Sequence, residues 1–307
     1  MIKNHVARLT STRRHTLIIA IAMMVPLASL GMASPALAKE PTGIFAVFKQ
    51  CPRFTTGVNL CIYTQTLSGE VTLNKQTVPI ASTITLQGGI IRNEETEAET
   101  LVGALNGESL SKTPQKVPGG LLGLVKCNEI KGEGFLEKLA RGTCELIFEN
   151  KTTGVNATTE LAGQPGINKN NLVNAEGTAL SLPVRIHLEN PLLGSECYVG
   201  SFAKPIVLNL TTGTTSPPEP NKPISGKVGN VKFIGPEFEV VEITNNTLVD
   251  NSFSAPAATG CGGLLSAIIN PLINGKIGLP SAAGKNTAIQ NNTVREATAE
   301  DVIASEK

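Results

Sequence analysis

The residues with most to say about chemistry are six cysteines, Cys51, Cys61, Cys127, Cys144, Cys197 and Cys261. None stands in a Cys-x-x-Cys pair, which argues against a zinc ribbon and against thioredoxin-like exchange. All six follow an N-terminal segment with the features of an export signal. Export delivers thiols to an oxidising compartment, where they pair. Proximity along the chain suggests Cys51–Cys61, Cys127–Cys144 and Cys197–Cys261. Gly260-Cys261-Gly262-Gly263 would present a nucleophile on a flexible turn, but five companion cysteines favour a disulfide half.

Beyond residue 38 the chain holds a single histidine, His187. Metal sites that need two imidazoles from one mature chain are therefore excluded. His187 lies in Val184-Arg-Ile-His-Leu-Glu189, where Val184, Ile186 and Leu188 form an apolar face. It should share the solvated polar face with Arg185 and Glu189. A Ser-His-Asp triad would have to use this residue, and no Gly-x-Ser-x-Gly elbow accompanies it. Asp250-Asn251-Ser252 reads as a hydrogen-bonded turn, because the spacing of a dedicated calcium loop is missing. Gly88-Gly89 and Gly119-Gly120 lack the Lys-Ser/Thr that follows a phosphate-binding loop. Two carboxylates meeting across a fold leave no sequence signature, so a carboxylate-dependent hydrolase stays open. The sequence thus names no catalytic residue, no metal ligand and no cofactor, and it leans towards a non-enzyme.

The elements that would carry these residues are mostly strands. Leu60 to Thr66 reads as a strand ending in a turn at Ser68-Gly69. Val71 and Leu73, Val78 and Ile80, and Ile84 and Leu86 then continue at period two on one buried face, with Thr72, Thr77, Thr83 and Thr85 opposite. Cys144 to Phe148 and Val155 to Leu161 read as a hairpin around Asn150–Gly154. Further strands are predicted over 184–188, 206–210, 228–234, 238–243 and 247–253, all rich in β-branched residues. Two helices are predicted, one with Phe135, Leu136 and Leu139 on one face between Gly134 and Gly142. In it, Glu137 and Arg141 are spaced to pair. The other runs from about Gly263 to Ile273, where Pro271 should end or kink it. The fold class is mainly β: an antiparallel, sandwich-like, disulfide-stapled protein with one or two short helices.

Residues 1–38 carry four basic residues and no acid, then an apolar run from Leu17 to Leu30, then Ala36-Leu37-Ala38. This is the layout of a cleaved signal peptide. The apolar run is shorter than the roughly 20 residues a membrane span needs, and no later segment is long and apolar enough. Residues 39–300 form the β-rich mature region, with a candidate division into halves near 163–177 and a frayed tail at 301–307. Residues 90–118 read as an exposed acidic insertion, and Ser216–Pro223 as a stiff extended crossing. Removing four of 26 basic residues leaves a mature net charge of −3. No basic patch stands out, which argues against nucleic acid as a partner. Tryptophan is absent, which weakens the case for a carbohydrate platform. Gly119-Gly120-Leu121-Leu122 and Gly262-Gly263-Leu264-Leu265 form a faint echo beside Cys127 and Cys261.

Lys112–Leu122, Glu189–Ser201, Val249–Phe253, Gly260–Gly262 and Gly278–Ala288 resemble segments of an uncharacterised family of secreted proteins from soil actinobacteria. The resemblance spans most of the mature chain and implies secretion, with no assigned activity. Three functional expectations follow from the sequence as a whole. The first is an exported, non-enzymatic structural or interaction protein of the cell envelope or extracellular space. The second is a carrier of a lipid or other apolar ligand, motivated by the aliphatic Leu121–Val125 and Leu264–Ile273 segments. The third is a secreted hydrolase that relies on carboxylates.

Overall fold

The structure, a computed structural model, describes residues 39–93, 99–149, 153–237 and 239–307, so residues 1–38, read from the sequence as an export signal, lie outside it. The strands, in chain order, are β1 (Leu60–Leu73), β2 (Gln76–Ile80), β3 (Ile84–Arg92), β4 (Glu99–Gly103) and β5 (Gln115–Lys116). Then come β6 (Asn156–Leu161), β7 (Gly166–Ile167), β8 (Leu180–Glu189), β9 (Tyr198–Val199) and β10 (Ile206–Leu210). Four more complete the set: β11 (Asn230–Ile234), β12 (Val240–Asp250), β13 (Ala258–Thr259) and β14 (Asn286–Thr298). The helices are α1 (Gly120–Leu124), α2 (Phe135–Glu149), α3 (Lys169–Asn174), α4 (Ser266–Ile277) and α5 (Ala299–Ala304).

Among the described residues all 14 strands belong to one antiparallel sheet, with the main path β11-β12-β14-β1-β3-β4-β7-β8-β6-β5. The sheet curls until β10, a branch off β8, meets β12. β10 pairs with the opposite side of β8, and Thr211 just beyond it exchanges backbone bonds of 3.0 and 2.9 Å with Val249 of β12. Apolar residues at period two turn inward along these strands. In β8 these are Leu180, Leu182, Val184 and Leu188; in β10 they are Ile206, Leu208 and Leu210. The result is a sandwich-like wall around one large aliphatic core. A second, smaller core lies outside the wall, where Phe48, Cys51 and Cys61 pack with Val240, Ala297 and Val302.

The three disulfides join Cys51 to Cys61, Cys127 to Cys144 and Cys197 to Cys261, and no cysteine is free. The GGLL echo has a backbone basis. Gly119 and Gly120 (φ 76° and 51°) and Gly262 and Gly263 (φ 84° and 56°) each take a left-handed pair that starts a helical turn. The leucines fare differently: Leu121 and Leu265 are buried, whereas Leu264 is 97% exposed.

Several expectations change. The strand from Leu60 does not turn at Ser68-Gly69 but runs on to Leu73, with a bulge between Thr66 and Ser68. At Gly69 a Cβ would stand 2.0 Å from the Ile289 carbonyl oxygen, so glycine is needed there for close strand approach and not for a turn. The predicted strands 238–243 and 247–253 fuse into β12, likewise across a bulge, between Ile243 and Asn246. Cys144–Phe148 is not a hairpin arm. It continues α2 past Gly142, held by buried Ala140 and Cys144 and by the disulfide to Cys127. The Phe135–Leu139 face is mostly exposed, and Arg141 donates to the carbonyls of Ile130 and Gly132. Residues 150–152 of the expected turn lie outside the described residues.

α4 passes straight through Pro271 to Ile277, because Ile269, Ile273 and Ile277 form a buried stripe at i, i+4, i+8. The helices number five among the described residues, not one or two. Residues 163–177 carry β7, which sits between β4 and β8, and α3. Ser216–Pro223 is no extended crossing. It is a loop whose ends return to each other, through a Thr214–Ser225 bridge and a Thr215–Ile224 backbone bond. Residues 299–306 do not fray: Val302 of α5 is fully buried, Glu306 bridges to Pro41, and its carboxylate pairs with Arg53.

Candidate ligand chambers

Among the described residues, the curled sheet forms two mainly apolar chambers, each partly open to solvent. The first, of about 100 Å³, is walled by Val71 and Leu73 of β1, Val78 and Ile80 of β2, and the inward residues of β6, β8 and β10. The period-two run Val71–Leu86 read from the sequence is one wall of this chamber. Leu124 of α1 and Ile277 of α4 also line it, so both aliphatic segments that motivated the carrier reading are represented or adjoin it. A few polar groups interrupt the lining, chiefly Gln76, Gln115, Thr159 and Gln290. Gln115 is fully engaged: its Oε1 accepts from the backbone N–H groups of Ala81 and Ser82, and its Nε2 donates to the Ser82 carbonyl. The side-chain amide thereby ties the β2–β3 turn to β5 and leaves the chamber wall apolar.

The second chamber, of about 170 Å³, occupies the other end of the sheet's interior. Ile62 and Thr64 of β1, Ile243 and Leu248 of β12 and Val294 of β14 form its walls, and α3 contributes Leu172 and Val173. Leu86 touches both chambers. Between the two levels, buried Thr66 donates to Asn292 Oδ1 at 2.7 Å and buried Asn246 donates to the Asn292 carbonyl at 3.1 Å. These three residues lie at or beside the bulges of β1 and β12. The bulges free the polar groups that the asparagine and threonine side chains then satisfy.

One charged cluster borders the second chamber. Lys169, the first residue of α3, donates to Glu296 of β14 at 2.5 Å and lies 3.2 Å from Glu99 of β4. Burial pushes the Glu296 carboxyl above its ordinary range, against the opposing pull of Lys169. Glu99, read as part of an exposed acidic insertion, is buried, and its Oε2 has no hydrogen-bond partner. Residues 94–98 of that expected insertion lie outside the described residues. No comparison helps to choose a ligand: no protein-family model, no characterised protein and no solved structure matches this chain.

His187 is on the outer face, as its strand register demands, but Tyr198 covers it. The rings stack at 4.5 Å, and His187 Nε2 is buried without a partner. Arg185 lies over both Tyr198 and Phe202, at 4.0 and 4.1 Å, while its guanidinium bonds Glu160 at 2.6 Å. Burial, with Glu160 nearby, raises the Tyr198 phenol. Asp250 is buried at the end of β12. Its carboxylate accepts from the N–H groups of Ser252 and Asn209 at 2.8 and 2.7 Å, and burial raises its pKa. The first of these bonds is the expected turn; the second, to β10, has no local sequence signal. Among the described residues no group of three or more His, Cys, Asp or Glu is placed to hold a metal ion. No helix of the described residues is long and apolar enough to cross a membrane.

Proposed function

We propose that this chain is an exported, non-enzymatic carrier that holds a small apolar molecule, or the end of an aliphatic chain, in the first chamber. The observation that carries this reading is an aliphatic chamber inside a sheet whose residues otherwise pack closely. Empty apolar volume is costly, and sealed aliphatic cavities of about 150 Å³ take up benzene, so a half-open chamber of about 100 Å³ suits a small apolar guest or a chain end. Three disulfides and a leading basic-then-apolar segment support export, as does the resemblance to secreted actinobacterial proteins. The test is titration of the purified mature protein with benzene, followed by methyl NMR. Saturable shifts at Val71, Val78 and Leu182 are expected, and shifts absent at saturating benzene would sink the proposal.

The outer cluster supports a second reading, an interaction protein, because Phe202 is 65% exposed against Arg185. On that reading Phe202→Ser releases the protein from envelope fractions without lowering its melting temperature. Unchanged retention would remove it.

A further inference from the structure

The second chamber carries a feature that an indifferent apolar cavity does not need. Two carboxylates and one ammonium meet at its border, and their side chains are 4%, 15% and 28% exposed for Glu99, Glu296 and Lys169. Among the ion pairs of the described residues, Lys169 is shared by both carboxylates. An unbalanced charge in apolar surroundings is costly, and each buried carboxylate oxygen seeks a donor. Lys169 and Glu296 line the chamber directly, with Glu99 bonded to the same ammonium behind them. The imbalance is visible in atomic detail, since Glu99 Oε2 has no partner although Glu99 is nine-tenths buried. Apart from Thr64 and Asn170 the remaining walls are aliphatic, so the polar part of a guest finds its charged partner at the Lys169–Glu296 border.

We infer that the second chamber binds a small amphiphile with an aliphatic body and a primary ammonium head, the head resting against Glu296 beside Lys169, with the Glu99 charge behind them. The inference shares the carrier reading but stands on a different chamber. A cationic head neutralises the excess charge and supplies donor hydrogens, whereas a carboxylate head adds a third negative charge. A hydroxyl head supplies one donor and leaves the charge in place. The volume of about 170 Å³ suits a body of roughly six carbons, a little larger than the benzene held by cavities of about 150 Å³.

Hexylamine, hexan-1-ol and hexanoate, titrated at neutral pH against the mature protein and followed at the methyls of Ile243, Leu248 and Val294, test this. Hexylamine should bind one to one and about tenfold more tightly than hexan-1-ol, with hexanoate weakest, as a charge-assisted bond at a half-buried border implies. Glu99→Gln should bring hexylamine down to the level of hexan-1-ol and leave hexan-1-ol unchanged. If that variant does not fold, Glu296→Gln serves the same purpose. Ala157→Leu, which fills the first chamber, should alter none of these affinities, so failure of the first chamber and failure of the second read out separately. Equal affinity for the amine and the alcohol, or an amine preference that survives both Glu→Gln substitutions, would overturn the inference.

Discussion

Ala157→Leu asks whether the first chamber is usable space. Ala157 is a buried residue of β6, opposite Leu188 of β8 and Gln115 of β5, and it lines the chamber. If the volume of about 100 Å³ were fully enclosed it would cost about 2.4 kcal/mol at about 24 cal/mol per Å³, an upper bound because Val71, Val78 and Ile84 in its wall are only half-buried. Leucine adds three methylene-sized groups, which at about 0.8 kcal/mol each contribute about 2.4 kcal/mol if all three are buried. The two routes agree. Ordering the longer side chain takes back about 0.5–1 kcal/mol, leaving a net gain near 1.5 kcal/mol. For a domain of this size that corresponds to a rise of about 3–6 °C in Tm, read by circular dichroism on ligand-free protein. Benzene shifts at Val71 and Val78 should vanish in the same variant. A fall in Tm, the sign of overpacking that costs about 1–3 kcal/mol, would refute the reasoning, as would undiminished benzene shifts.

The disulfides should differ in worth, because their loops close 64, 17 and 10 residues. On the chain-entropy account, removing Cys197–Cys261, Cys127–Cys144 and Cys51–Cys61 in turn costs about 4.3, 3.1 and 2.7 kcal/mol. Urea midpoints of the paired Cys→Ser variants check that order, and a reversed order would contradict it. Asp250 is a buried acid with a raised pKa, so its contribution favours folding at low pH and is lost as pH rises above the ordinary carboxylate range through its folded pKa. Asp250→Asn should therefore be the less stable protein in acid, with the gap narrowing as pH rises through that window; a gap that widens refutes the assignment. Ile273→Ala, in the middle of the α4 stripe, should lower stability by about 2–5 kcal/mol in denaturant unfolding, with a loss below about 1 kcal/mol counting against the buried stripe.

Local chemistry was readable where neighbours in sequence are neighbours in space. The alternation from Val71 to Leu86 foretold one chamber wall, and Val184-Arg-Ile-His-Leu placed His187 on the outer face. Reading failed where distant partners decide. Glu99 looks like a loop acid until Lys169 and Glu296 arrive from two other elements. Cys144-Glu-Leu-Ile-Phe148 has strand-like composition, yet its disulfide and Ala140 hold it in a helix. Ser68-Gly69 has turn composition, and the glycine answers instead to the backbone of Ile289, 220 residues away in the chain. The Tyr198 cover over His187 likewise comes from a separate short strand, β9, which no periodicity announces.

The pairing of β1 with β14 also bears on how the protein comes into being. Leu60 faces Thr298 across that ladder, and α5 seals Cys51 and Phe48 from outside. On the export proposed above, a chain threaded through a membrane from its N-terminal end would emerge with β1 lacking a central neighbour until nearly all of it had crossed. Contacts of such long reach form slowly. Meanwhile the short Cys51–Cys61 and Cys127–Cys144 loops can oxidise as soon as they emerge. Early oxidation would give the waiting chain two local anchors, while the chambers can be walled in only after the last strand arrives.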